Sequence, residues 1–114
     1  MIRTKRVYEE PSETDGLRVL VDRLWPRGVS KERANLDRWE KDLAPTNELR
    51  KWFGHDPAKW EEFLRRYRVE VEGKEELLAE LQKEATAGTV TLLYAAKDEE
   101  HNNAVALKRY IEEK

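Results

Sequence analysis

No cysteine occurs among the 114 residues, which removes disulfides, thiolate nucleophiles, iron–sulfur ligation and cysteine zinc sites together. Long apolar runs are also missing: nothing approaches the roughly 20 residues a membrane helix needs. The start Met1-Ile2-Arg3-Thr4-Lys5-Arg6 lacks the apolar stretch of a signal peptide, so a cytoplasmic protein with no membrane association is expected. Serine is scarce. Ser12 and Ser30 are the two present, and neither sits in a Gly-x-Ser-x-Gly elbow. The Gly-x-Gly-x-x-Gly and phosphate-loop patterns are missing as well, and with them the standard dinucleotide and nucleoside-triphosphate cradles. His55 and His101 show no metal-ligand spacing, so no metal and no cofactor is expected. Charge of one sign is lacking too: 22 basic and 24 acidic residues leave a net charge of -2. Strong attraction to nucleic acid or anionic lipid is therefore disfavoured.

What is present argues for a packed core. Four Trp, four Tyr and two Phe accompany 39% hydrophobic residues, against the few aromatics of a disordered chain. Residues 1–114 are expected to form a single α/β domain, a size at which about two thirds of the unfolded surface becomes buried without a staple. One Met and one Gln beside abundant Glu, Lys and Arg resemble thermophile composition.

Along the chain, Ile2 to Tyr8 is a charged strand candidate suited to a sheet edge. The polar stretch 9–16 is a loop. Leu17 to Trp25, with Val19-Leu20-Val21 inside it, has the near-continuous apolar pattern of a strand covered on both faces; Pro26 and Gly28 end it. Ser30 caps a short helix. Residues 36–43 are ambiguous between alternation and a helical face, with a lean toward helix or irregular structure. Thr46 caps a short helix that stops at Gly54. Asp56-Pro57 then opens a longer helix, in which Trp60, Phe63, Leu64, Tyr67 and Val71 share one face. A second amphipathic helix runs from after Gly73 to Gly88. Val90 to Ala96 is a second buried strand, followed by Asp98 as N-cap of a closing helix to about Glu112. Alternation of helices and apolar strands predicts a small open α/β sheet, mainly parallel, with helices on both faces.

In such sheets ligands bind beyond the carboxyl ends of the strands, which directs attention to the loops after Trp25 and after Ala96. The first reads Asp22-Arg23-Leu24-Trp25-Pro26-Arg27-Gly28. Asp22, an acid in an apolar run, needs a partner, for which Arg27 or Lys97 is the natural choice. Arg23 and Arg27 could fork a phosphate or carboxylate; the competing reading pairs one arginine with Asp22 and lays the other over the sheet edge. In the second loop, Asp98 as cap would put Lys97 just before the helix, with His101, Asn102 and Asn103 in or near its first turn. Anions are favoured there, and the helix dipole would keep His101 neutral and able to accept a proton. The alternative is a surface or hydrogen-bonding histidine. His55 is a third candidate, although Gly54-His55-Asp56-Pro57 reads first as stop-and-cap chemistry. Of the tryptophans, Trp39, Trp52 and Trp60 are explained as core, while Trp25 is expected near a pocket.

The stretches Val19 to Gly28, Leu43-Ala44-Pro45, Leu49 to Pro57 and Thr91 to Asp98 resemble the YeaO-like family of domain-of-unknown-function proteins, and the resemblance spans essentially the whole chain. It implies a compact α/β fold and no agreed substrate. Some more distant relatives carry cysteines and a Cys-His-Arg cluster around the last strand and helix; here Tyr94, His101, Asn102 and Asn103 stand in that stretch.

Two functional classes follow. In the first, Arg23, Arg27 and Lys97, with Asp22, Trp25 and Asn102, hold an anionic small molecule, and His101 serves as general acid or base with help from His55. In the second, the chain is a noncatalytic binding or interaction module whose Arg/Asp/His cluster is structural. They part on whether the Arg23 and Arg27 guanidinium groups and the His101 ring share one cleft.

Overall fold

Parallel strands need covered crossovers, and the chain supplies them in the order the sequence implies. A computed structural model describes residues 1–113. Four strands, β1 (Ile2–Arg6), β2 (Leu17–Leu20), β3 (Arg38–Trp39) and β4 (Val90–Tyr94), form one sheet in the order β1-β4-β2-β3. All three pairings are parallel. The charged first strand lies at an edge, as its composition predicts, and β4, buried at every position, runs through the middle.

Side-chain alternation divides the core in two. Val19, Val21, Val90, Leu92 and Tyr94 face a large apolar cluster built with α2 (Asn47–Phe53), α3 (Trp60–Val71), α4 (Glu75–Ala87) and α5 (Asn103–Glu112). Leu20, Leu93 and Val7 face the other way, covered by Ala34 of the short α1 (Lys31–Ala34), by Val29 and by half-buried Trp25, Leu36 and Trp39. Both faces are covered, the second by one turn of helix and connecting segments. That second layer also holds a buried ionic cluster: Arg18 and Asp15 lie 2.5 Å apart, with Lys5 3.1 Å from the same carboxylate. Arg18 further donates to the carbonyls of Ala34 and Asn35. Burial pushes the Asp15 carboxyl up, but hydrogen bonds from Ser12, Lys5 and Arg18 outweigh it and hold the group below its ordinary value. Gly16 beside it has φ +65°, and a Cβ there would stand 2.2 Å from the Thr89 carbonyl oxygen, so glycine is required.

Three expectations are corrected. The second strand ends at Leu20 and not at Trp25, because side chains take over from the ladder. Asn103 donates to the Val21 carbonyl and Trp39 to that of Asp22, peeling the chain away from its neighbours. Residues 36–43 contain a two-residue strand and one 3-10 turn, Lys41–Leu43; Asp37 and Glu40 donate to the Arg18 and Leu20 carbonyls and hold the strand on β2. The cap of α5 is Asn102, whose side chain accepts from the Val105 amide, and not Asp98. Asp98 instead closes its own turn, accepting from the amides of Glu100 and His101.

The short helices are terminated as their sequences predict. Ser30 and Thr46 cap α1 and α2, and Gly54, left-handed at φ +53°, stops α2. Thr46 also donates through its amide and hydroxyl to Glu70 at 2.9 and 2.6 Å, while buried Tyr67 donates to the Leu43 carbonyl. These contacts pin segment 43–46 against α3, where it becomes one wall of the site.

Candidate functional site

Beyond the carboxyl ends of β2 and β4 lies a cavity of about 730 Å³, the place where an open parallel sheet leaves room between diverging loops. The segment after β2 brings Asp22, Arg23, Trp25 and Arg27 to it, and the segment after β4 brings Lys97, His101 and Asn102. His55 joins from the turn after α2. Every candidate named from the sequence thus lines one cavity, although their local roles differ.

Asp22 is tied to neither Arg27 nor Lys97. Its Oδ2 accepts from the Ala95 amide at 2.9 Å and its Oδ1 from the Asn103 carboxamide at 3.1 Å. The strand-end amide of Ala95 supplies one donor, and the neutral carboxamide meets the other oxygen without adding a second buried charge. Burial pushes the carboxyl above its ordinary value; the Asn103 and Ala95 hydrogen bonds, and the charges of His55 and Arg50, pull the other way without cancelling the rise.

Arg23 is largely committed to the scaffold, donating from Nε to the Pro45 carbonyl at 3.1 Å and from Nη2 to that of Ala44 at 3.3 Å. The expected two-arginine fork is therefore unequal, because one guanidinium fastens the wall formed by 43–46. Arg27 and Lys97 are exposed, and neither side chain has an ion pair among the described residues. Trp25 donates to the Val29 carbonyl at 2.6 Å and meets Trp39 edge-on with centroids 5.3 Å apart, so its ring is fixed at the cavity wall.

His101 lies one residue ahead of the α5 cap, outside the helix's first turn, which removes the dipole argument made for it. Its Nδ1 is 2.9 Å from the Asp98 carboxylate, and its ring meets Trp60 edge-on at 5.3 Å. Asp98 is held below its ordinary value by the hydrogen bond from the Glu100 amide, then by that from the His101 ring. Asn102 is buried and spends its carboxamide at both ends, on the Val105 amide and the Asp98 carbonyl. His55 is exposed with φ +58°, a left-handed conformation that a side chain seldom takes.

Sequence reasoning missed Arg50, which lines the cavity from α2, and Tyr8, Phe53 and Phe63, which add apolar wall. It also missed Arg6, whose Nε and Nη2 donate to the Ala96 and Ala95 carbonyls and hold the loop after β4 in place. No local motif marks these residues, since they reach the site from the edge strand and from helices distant in sequence. Asn103 carried the one readable signal, a second amide next to a cap. Among the described residues no group of His, Asp and Glu comes together that could hold a metal ion, and no helix is long and apolar enough to cross a membrane.

A family model described as the inactive DUF488-N3 subclade matches residues 1–114. The chain belongs to that subclade. The chain is similar to the uncharacterized protein YeaO of Escherichia coli K12, 39% identical over 110 residues that cover 96% of each chain, and to the uncharacterized protein Rv3073c of Mycobacterium tuberculosis H37Rv, 39% identical over 110 residues covering 96% of this chain and 92% of its own. The uncharacterized protein Mb3100c of Mycobacterium bovis is similar to the same extent. The YeaO-like resemblance read from the motifs is thus correct for this DUF488-N3 member. No solved structure matches the chain.

Proposed function

We propose that the strand-end cavity binds an anionic small molecule and that the chain does not turn it over. The observation that carries this reading is that Arg27 and Lys97, from two separate strand-end loops, line one cavity without an ion pair among the described residues. Arg50 and His55 line the same space. Arg27 and Lys97, without an ion pair among the described residues and on walls held by Arg6 and Arg23, suit an incoming phosphate or carboxylate. The family's description as inactive supports binding without chemistry, and a net charge of -2 favours a small ligand over a nucleic acid.

Titration calorimetry with inorganic phosphate and pyrophosphate tests it. Saturable binding is expected, weakening between about 0.01 and about 0.15 M salt as the screening length falls from ~30 to ~8 Å. The double substitution Arg27→Ala, Lys97→Ala should abolish binding while leaving the thermal midpoint in place. Absence of binding by either anion, or full binding by the doubly substituted chain, overturns the proposal.

A second reading is favoured by the His101–Asp98 pair at 2.9 Å. A proton on Nδ1 would be donated to Asp98 and leave Nε2 as an acceptor, the arrangement of an oriented general base. Mass spectrometry of small molecules that copurify with the protein separates the two: an unchanged ligand supports binding alone, and its conversion on incubation supports acid/base chemistry through His101.

A further inference from the structure

We propose that the ligand is a nucleotide, seated with an N–H edge of its base on Asp22 and its phosphate between Arg27 and Lys97; this rests on the anion-binding reading above. Three observations lead there. The cavity, about 730 Å³, is of the size that encloses a drug-sized organic molecule, and a bare phosphate would fill a small part of it. Its walls are chemically divided. Asp22 is half-buried, tied down by Ala95 and Asn103, whereas Arg27 and Lys97 are exposed on the loops around it. A carboxylate repels a phosphate and attracts N–H donors, so the anionic part of the ligand belongs with the cations and a donor-bearing part with Asp22.

The third observation concerns Asp22 itself. Each of its oxygens accepts one hydrogen bond from the protein, Oδ1 from Asn103 and Oδ2 from Ala95. A carboxylate has about four acceptor sites, so each oxygen keeps capacity for one more donor. Two adjacent N–H groups, as on the Watson–Crick edge of guanine, match that pattern in a planar bidentate contact. The rings of Trp25 and Tyr8 on the walls suit a planar base, since stacking on aromatic side chains tolerates any base and adds affinity. The missing glycine-rich cradle does not oppose this, because here the phosphate is met by side-chain cations and not by backbone amides.

The experiment measures inorganic phosphate, guanosine and GMP against the whole chain by calorimetry. GMP is expected to bind at least about tenfold more tightly than phosphate, the discrimination a bidentate base contact provides. Asp22→Asn should remove that advantage without weakening phosphate binding. Because Asp22 also supports the strand end, carbon-13 NMR of its carboxyl in the unaltered protein is the second readout: GMP and guanosine should shift it, and phosphate should not. Phosphate binding with GMP no tighter, or with the Asp22 carboxyl unmoved by GMP, overturns the nucleotide inference and leaves the anion reading standing. Failure of every probe to bind overturns both.

Discussion

Two aspartates near the same sheet are driven in opposite directions by their surroundings. Asp15 meets Arg18 and Lys5 in the small second layer, and its ionised form is favoured in the fold. Asp22 meets an amide and a carboxamide, with no ion pair among the described residues, and burial shifts it toward its neutral form. The consequences for stability differ in sign. With a folded value depressed below its ordinary 3.8, Asp15 contributes stability that is present above 3.8 and lost as pH falls through the lower folded value. With a folded value raised above 3.8, Asp22 contributes stability that is complete below 3.8 and lost as pH rises through the higher one. Carbon-detected NMR titration should find the Asp15 carboxyl titrating below 3.8 and the Asp22 carboxyl above it; the reverse order would contradict the two environments. That Asp22 needed a partner was legible from an acid in an apolar run. Which partner it has was not, because Ala95 and Asn103 are 73 and 81 positions away.

At the scale of elements, the start of α5 shows how local rules can nominate the wrong residue. Asp98 has the acid-then-helix pattern of a cap, yet it closes an Asx-type turn of its own, and Asn102 four residues later takes the capping role. Both residues are good caps by composition; what separates them is that Asn103, the next residue, must sit where it reaches Val21 and Asp22. Asn102→Ala should therefore destabilise the protein by ~0.5–2 kcal/mol, read by urea denaturation. Asp98→Ala should leave α5 amide protection unchanged in hydrogen exchange while raising exchange at Glu100 and His101. Equal loss of α5 protection in both variants would return the cap to Asp98. The same tertiary override shortens β2: an apolar run from Val19 to Trp25 reads as one strand, but Asn103 and Trp39 take the carbonyls of its second half.

Across the whole molecule, near-cancelling charge conceals an uneven distribution. Several acidic side chains on the helices or at their ends are paired with arginine, Glu62 with Arg65 and Arg66, Glu84 with Arg38, Glu113 with Arg68, while Arg27 and Lys97 have no ion pair among the described residues and lie at the cavity. Such partly exposed pairs contribute little each at room temperature but gain relative weight on heating, as the cost of dehydrating charges falls. Together with the single Met, the single Gln and the lack of Cys, they lead to an expected thermal midpoint above the ~45–65 °C of ordinary mesophile domains. Calorimetry gives the value, and a midpoint inside that range would refute the compositional argument.

Composition and periodicity by themselves determined the parallel α/β class, the edge position of the first strand, the helices from Thr46 onward apart from the start of the last, and two of the loops that line the cavity. These depend on neighbours within a turn or a strand, where apolar spacing, caps and glycine stops act directly. Only the tertiary structure decided that Arg23 fastens a wall while Arg27 has no ion pair among the described residues, that Asn103 serves Asp22, and that Arg50 and Tyr8 complete the cavity. Those outcomes depend on contacts between segments far apart in the chain, and the sheet order β1-β4-β2-β3 sets them by bringing the ends of β2 and β4 side by side.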